Sequence, residues 1–297
     1  MKIVSRIGNE ENAFIYTAML RENHLVEFVD AVEPGTHREK KWCIIVSTQF
    51  GCPVNCKICD AGGKFLGNLT SNEILSQIRF VLNSRNYLKT EKLKVHFARM
   101  GEPLLNPNVL DALVLLREEI KDNSLIPCIA TVAPKSSKKT LYKIADIKDE
   151  FYKNGKFQMQ FSINTTDEKI RDEIMPIPKM SFEEIADFGE IYWKKGDRKI
   201  NLNFAMAKEF PVDAKIISKY FNPDKFLIKI TPLNPTENVI KHGFHTLISY
   251  EKTEKPKIFD ELIEEGFDVI LSIGTKEEIE IGSNCGQSVK KLSMINF

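Results

Sequence analysis

Cys52, Cys56 and Cys59 stand in the run Gly51-Cys52-Pro53-Val54-Asn55-Cys56-Lys57-Ile58-Cys59, a C-x3-C-x2-C spacing that gathers three of the chain's six cysteines. Three thiolates this close in sequence can converge on one metal centre from a single loop. A structural zinc site normally takes four protein ligands in two pairs, and no second C-x2-C or H-x3-H pair follows here. Electron-transfer iron–sulfur clusters also take four cysteines. A cubane cluster held by only three would leave one iron without a protein ligand, open to a substrate. That is the same logic that separates a catalytic zinc from a structural one. A closed zinc site and a set of inert, buried cysteines are the competing readings.

Such a loop needs a scaffold, and the chain around it alternates between strand and helix. Cys43–Gln49 reads as a buried strand leading into the cysteines. Thr70-Ser71-Asn72-Glu73 forms a capping box, and Ile74, Leu75, Ile78 and Val81 continue at helical spacing. Strands are expected near Lys94–Ala98, Pro127–Val132, Phe157–Ile163, Ile200–Ala205 and Phe226–Ile230, with a last one near Asp268–Ile273. Helices are expected near Asn108–Lys121, Lys138–Ile147, Phe182–Lys194, Ala214–Phe221 and Lys255–Glu265. Ahead of them, Ala13–Leu20 and His24–Val32 flank a polar turn and predict a β-hairpin. The alternation predicts an α/β fold with a parallel sheet, and an open barrel and a doubly wound sheet both fit it. In either, the site belongs at the carboxyl ends of the strands.

Composition sets wider bounds. The chain has 297 residues, is 42% hydrophobic and carries 42 basic against 41 acidic residues, an ordinary globular composition with a net charge of +1. That balance provides no long-range attraction for nucleic acid or an anionic membrane. The start, MKIVSRIGNEENAF, has no apolar signal-peptide core. No stretch reaches the length of a membrane span. A cytoplasmic location without a membrane partner is expected, where six cysteines argue for metal or catalysis before disulfides.

Met100-Gly101-Glu102-Pro103-Leu104-Leu105-Asn106 follows the second strand of the alternating region. Glycine allows close backbone approach, and the carboxylate can accept hydrogen bonds from an ammonium group. Alone the tripeptide is a turn; after a three-cysteine loop it takes on more meaning. Together the two segments resemble the radical S-adenosylmethionine superfamily. Several further segments resemble its RlmN/Cfr branch of adenine-carbon methyltransferases: the lead-in Val46–Cys52, Ile170-Arg171-Asp172-Glu173-Ile174-Met175-Pro176-Ile177, Asn234-Pro235, and Asn284-Cys285-Gly286-Gln287. The likeness runs from about residue 13 to residue 290.

The resemblance implies a partial (β/α)6 barrel (41–275), an N-terminal β-hairpin extension (1–40) and a tail (276–297) carrying Cys285. It implies a 4Fe–4S cluster on Cys52, Cys56 and Cys59, with S-adenosylmethionine on its open iron, held by Gly101, Glu102, Ser162, Ile163, Asn164 and Asn234. The family has Ser-Leu-His where this chain has Ser162-Ile163-Asn164. A family serine after the third strand is replaced by Ala130 or Val132. Cys285 would be the catalytic methyl carrier, and an adenine in RNA the methylated substrate. A one-electron donor such as flavodoxin or ferredoxin would serve the cluster.

Two departures stand out. The family's second catalytic cysteine, which resolves the enzyme–RNA intermediate, falls on Ile45. Cys43, two residues earlier and about 6.6 Å away on the same strand face, and Cys128 are the alternatives. The likeness also begins at the hairpin, so no counterpart of the family's helical RNA-binding domain is expected. A diverged enzyme acting on a small molecule or peptide, and a non-catalytic iron–sulfur protein, are the alternative functions.

Overall fold

β1 (Lys2–Gly8), β2 (Ala13–Arg21) and β3 (His24–Val32) make an antiparallel meander. The β2–β3 hairpin is the expected one, closed by Asn23 at a φ of 57°, a left-handed conformation that asparagine tolerates. β1 was not expected. Its residues are exposed or half-buried throughout, so it carries little of the apolar alternation by which strands are recognised. The computed structural model describes residues 1–250, 255–283 and 289.

The barrel strands and helices then alternate: β4 (Trp42–Val46), the short pair β5 (Gln49–Phe50) and β6 (Gly67–Asn68), α1 (Ser71–Ser84), β7 (Leu93–Phe97), α2 (Asn108–Glu119), β8 (Leu125–Thr131), α3 (Lys138–Phe151), β9 (Gln158–Ser162), α4 (Glu168–Ile174), α5 (Phe182–Tyr192), β10 (Ile200–Met206), α6 (Ala214–Tyr220), β11 (Phe226–Pro232), α7 (Glu237–Lys241), α8 (Lys257–Glu264), β12 (Val269–Leu271) and α9 (Lys276–Ile281). Thr70 and Glu73 cap α1 reciprocally, as the sequence predicts.

The main sheet runs β1-β2-β3-β4-β7-β8-β9-β10-β11-β12. The order follows the chain without a reversal. A doubly wound sheet changes direction at a switch point, so this topology belongs to the partial barrel. The expected strands are β4, β7 to β11 and the last one, the short β12, and all of them pair in parallel. The hairpin unit continues the same sheet, because β3 pairs antiparallel with β4.

Alternation on each strand separates two faces. On β4, Trp42, Ile44 and Val46 are buried in the main core with the helices, while Cys43 and Ile45 are half-buried on the inner face. Lys94 and His96 of β7 and Asn203 of β10 occupy the same half-buried register. The barrel thus packs apolar side chains outward against its helices, while its inner face carries polar residues beside a small apolar cluster around Ile15, Val29 and Ile45. Among the described residues no helix is long and apolar enough to cross a membrane.

Candidate active site

The segment leaving β4 is stitched to the segment leaving β7. The amides of Thr48 and Gln49 both donate to the Met100 carbonyl, at 2.8 and 3.1 Å. Gln49 Oε1 accepts from the Glu102 amide at 2.8 Å, and Asn106 Nδ2 donates to the Thr48 and Leu69 carbonyls at 2.7 and 2.8 Å. Gly101 lies inside this seam at a φ of +100°, and a Cβ there would fall 2.6 Å from Gln49 Cβ and 2.8 Å from Thr48 Oγ1. Only glycine fits. The seam brings the Met100–Asn106 motif to the mouth of the cysteine loop.

Burial raises the Cys52 and Cys56 thiols of that loop. The Cys52 thiol is pushed up to about 11, opposed by amides of Val54, Asn55 and Gly101 directed at its sulfur. Cys56 is raised by burial first, then by the neighbouring Cys59, Cys52 and Glu102. The Ala61 amide donates to Cys59 Sγ at 3.5 Å. Among the described residues, no three His, Cys, Asp or Glu side chains are drawn together around the position of a single metal ion. Desolvated sulfurs that oppose one another's ionisation need positive charge before all can become thiolates. Iron supplies that charge, and N–H···S bonds are a usual means of tuning a cluster. The donor set therefore fits an iron–sulfur cluster.

The loop is then fastened to the end of α4 and to the segment that follows β11. Lys57 N donates to the Ile174 carbonyl at 2.8 Å. Asp60 caps the start of α7, accepting from the amides of Glu237 and Asn238 at 3.0 and 2.9 Å. Asn238 Nδ2 reaches the Cys59 carbonyl at 2.6 Å, and Thr236 Oγ1 the Ile58 carbonyl at 3.2 Å. The motifs Ile170–Ile177 and Asn234-Pro235, far apart in sequence, thereby flank the cysteines.

Glu102 is the buried acid of the site. Its carboxylate accepts from Thr131 Oγ1 at 2.5 Å, the Val132 amide at 3.0 Å and the Leu104 amide at 3.1 Å. Burial pushes its pKa up to about 7, against the pull of those three donors. A cation placed beside it would favour the ionised form, which suits the ammonium of an amino acid. Thr131, the last residue of β8, stands between Ala130 and Val132 and gives its hydroxyl to this carboxylate.

Ser162 is half-buried at the end of β9. Ile163 turns its side chain into the core and gives its amide to the Asn203 carbonyl at 2.9 Å, so its main chain alone can face a ligand. Asn164 takes a left-handed φ of 65°, and its Oδ1 accepts from the Ala205 amide at 3.1 Å. Asn234 Oδ1 accepts from the Tyr250 hydroxyl at 3.1 Å. Cys285 lies outside the described residues.

Ile45 shares the inner face with Cys43 and pairs in register with His96 of β7. His96 in turn pairs with Cys128. Burial raises both thiols, Cys128 to about 11, where its Sγ donates to the Ile126 carbonyl at 3.5 Å. Burial holds the His96 imidazole well below its ordinary pKa, with Lys94, Lys229 and Lys41 adding to the effect. A neutral imidazole thus stands beside the position where the family has its second cysteine. The sequence reading did not single it out.

No family model matches the chain. The chain is 28% identical over 296 residues to the probable dual-specificity RNA methyltransferase RlmN of Pseudothermotoga lettingae, covering 96% of this chain and 78% of that protein. It is 24% identical over 283 residues to the dual-specificity RNA methyltransferase RlmN of Nautilia profundicola, covering 92% and 76%. The RlmN of Aliarcobacter butzleri is 24% identical over 304 residues, covering 98% and 81%. A radical SAM methyltransferase from Sphaerobacter thermophilus superimposes with a TM-score of 0.76 at 16% identity, over 96% of this chain and 80% of that one, and shares its fold. The chain is an RlmN/Cfr-like radical S-adenosylmethionine enzyme. In this RlmN/Cfr-like chain, Glu102, Gly101 and the cysteine loop form one hydrogen-bonded unit, which composition and spacing alone did not reveal.

Proposed function

We propose that the chain is an RNA methyltransferase that forms a carbon–carbon bond at an adenine ring, with Cys285 as its methyl carrier. The single observation that carries this reading is similarity along 92–98% of the chain to the proteins from Pseudothermotoga, Nautilia and Aliarcobacter, each named as an RNA methyltransferase. The seam joining the cysteine loop to Gly101 and Glu102 supports it.

Cys52, Cys56 and Cys59 would hold the cluster. Bound together, cluster and donor supply one-electron cleavage of a sulfonium and a transferable methyl group. Glu102 orients the ammonium of the donor, and Gly101 leaves room for its backbone-close approach. Ser162, Ile163, Asn164 and Asn234 complete the wall on the β9 and β11 side. There Asn164 and Asn234 hold neighbouring groups in place through their side chains, and Ile163 acts through its main chain. Cys285 accepts the methyl group on sulfur.

The reading also places the enzyme in the cytoplasm, where its thiols stay reduced. A flavodoxin or ferredoxin would deliver the electron there. The test is mass spectrometry of freshly expressed protein together with methyl labelling of total RNA. A methyl mass on the Cys285 peptide and label in RNA adenine are expected. An unmodified Cys285 peptide overturns the reading.

A further inference from the structure

The tail that leads to Cys285 is held by a buried ion pair outside the site just described. Glu27, on the inner face of β3, is fully buried, and Arg99, two residues before Gly101, is 7% exposed. Arg99 Nε donates to Glu27 Oε1 at 3.0 Å. Its other two nitrogens leave the pair: Nη1 donates to the Ser283 carbonyl at 3.1 Å and Nη2 to the Gly282 carbonyl at 2.9 Å. Glu27 Oε2 accepts from the amide of Val289 at 2.9 Å. One ion pair therefore grips residues 282, 283 and 289, and Cys285 lies between them in the sequence.

The neighbouring chain is shaped for this grip. α9 ends at Gly282 with a left-handed φ of 76°, which turns the Gly282 and Ser283 carbonyls toward Arg99. Ser283 is 2% exposed, and its amide and hydroxyl both donate to the Glu278 carbonyl, at 2.9 and 3.1 Å. Ile281 packs with Ile15, Val29 and Ile45 on the inner face. A buried ion pair is seldom more stabilising than apolar residues of the same volume. Among the described residues, each side-chain hydrogen bond the pair makes beyond itself goes to the tail.

We propose that Glu27 and Arg99 are positioning residues, a clamp that fixes both flanks of the Cys285 segment beside the Met100–Asn106 motif. Its purpose rests on the reading of Cys285 as methyl carrier; the clamp itself does not. The test is hydrogen–deuterium exchange of the full chain without cluster or donor, comparing wild type with Arg99→Lys and Glu27→Gln. Lysine keeps the charge but lacks the fork that reaches two carbonyls. Glutamine keeps the size but removes the charge.

Peptides covering 276–283 and 289–297 should exchange at least about tenfold faster in either variant, as expected from losing hydrogen bonds to a charged group, with β8 to β10 unchanged. Tail exchange equal to wild type in a folded variant overturns the clamp. Should either single change leave a lone buried charge and an unfolded chain, the apolar pair Glu27→Leu with Arg99→Met removes the clamp without that charge. The same two outcomes then decide. A wild-type Cys285 that never carries a methyl group refutes the proposed function instead, and the exchange rates still decide the clamp.

Discussion

Replacing Glu102 by glutamine should change how stability depends on pH, by an amount that follows from the carboxylate's surroundings. The folded pKa of about 7 stands above the ordinary 4.5 because burial penalises the charge. A carboxyl raised on folding adds no penalty below about pH 4.5. The penalty grows as pH rises and is complete above about pH 7. At about 1.36 kcal/mol per pKa unit, the full displacement amounts to roughly 3 kcal/mol. Between pH 5 and pH 8 the wild type should lose roughly 2 to 3 kcal/mol through this group.

Glutamine does not ionise, so it escapes that loss, but it carries its own cost. Glu102 Oε1 faces the Leu104 amide and Thr131, and Oε2 faces the Val132 amide. Either orientation of a glutamine amide sets an NH2 against a backbone N–H. One buried donor is left unsatisfied, at about 1–3 kcal/mol. Glu102→Gln should therefore be less stable than wild type at pH 5 and should match or exceed it at pH 8. Urea unfolding of the cluster-free protein at the two pH values, followed by circular dichroism, gives both numbers. A difference between variant and wild type that is the same at both pH values would refute the reasoning.

Gly101→Ala should destabilise by about 2–4 kcal/mol, from left-handed strain and overpacking against Gln49, and should abolish donor binding; calorimetry checks both. Asp60→Ala leaves the N-cap Thr236 in place but removes the acceptor of the Glu237 and Asn238 amides and should cost about 0.5–2 kcal/mol, with less iron retained per chain after reconstitution, because this contact ties the cysteine loop to the start of α7. Any one of Cys52→Ala, Cys56→Ala or Cys59→Ala should remove the visible absorbance of the reconstituted cluster; a cluster that persists in all three refutes the ligand assignment.

The barrel was legible because its signals are local. Alternation on Trp42–Val46 and the Thr70/Glu73 capping box need only neighbouring residues to be read. The sequence left open an open barrel against a doubly wound sheet, because strand order is a property of pairing between distant segments. The cysteines and Gly101-Glu102 announced themselves by spacing. Thr131, Gln49, Asp60 and Asn238 did not, since each is an ordinary polar residue whose role exists only once segments 29 to 179 residues apart meet. Arg99 and Glu27 were hidden for the same reason. β1 was missed because a mostly exposed edge strand has no apolar face to display.

The central claim is that the three-cysteine loop, joined to Gly101 and Glu102, serves reductive cleavage of S-adenosylmethionine. The most direct measurement is 5′-deoxyadenosine released by the anaerobically reconstituted chain given S-adenosylmethionine and dithionite. The account predicts its formation, and its loss in Cys56→Ala. A fully loaded cluster that yields none would contradict it.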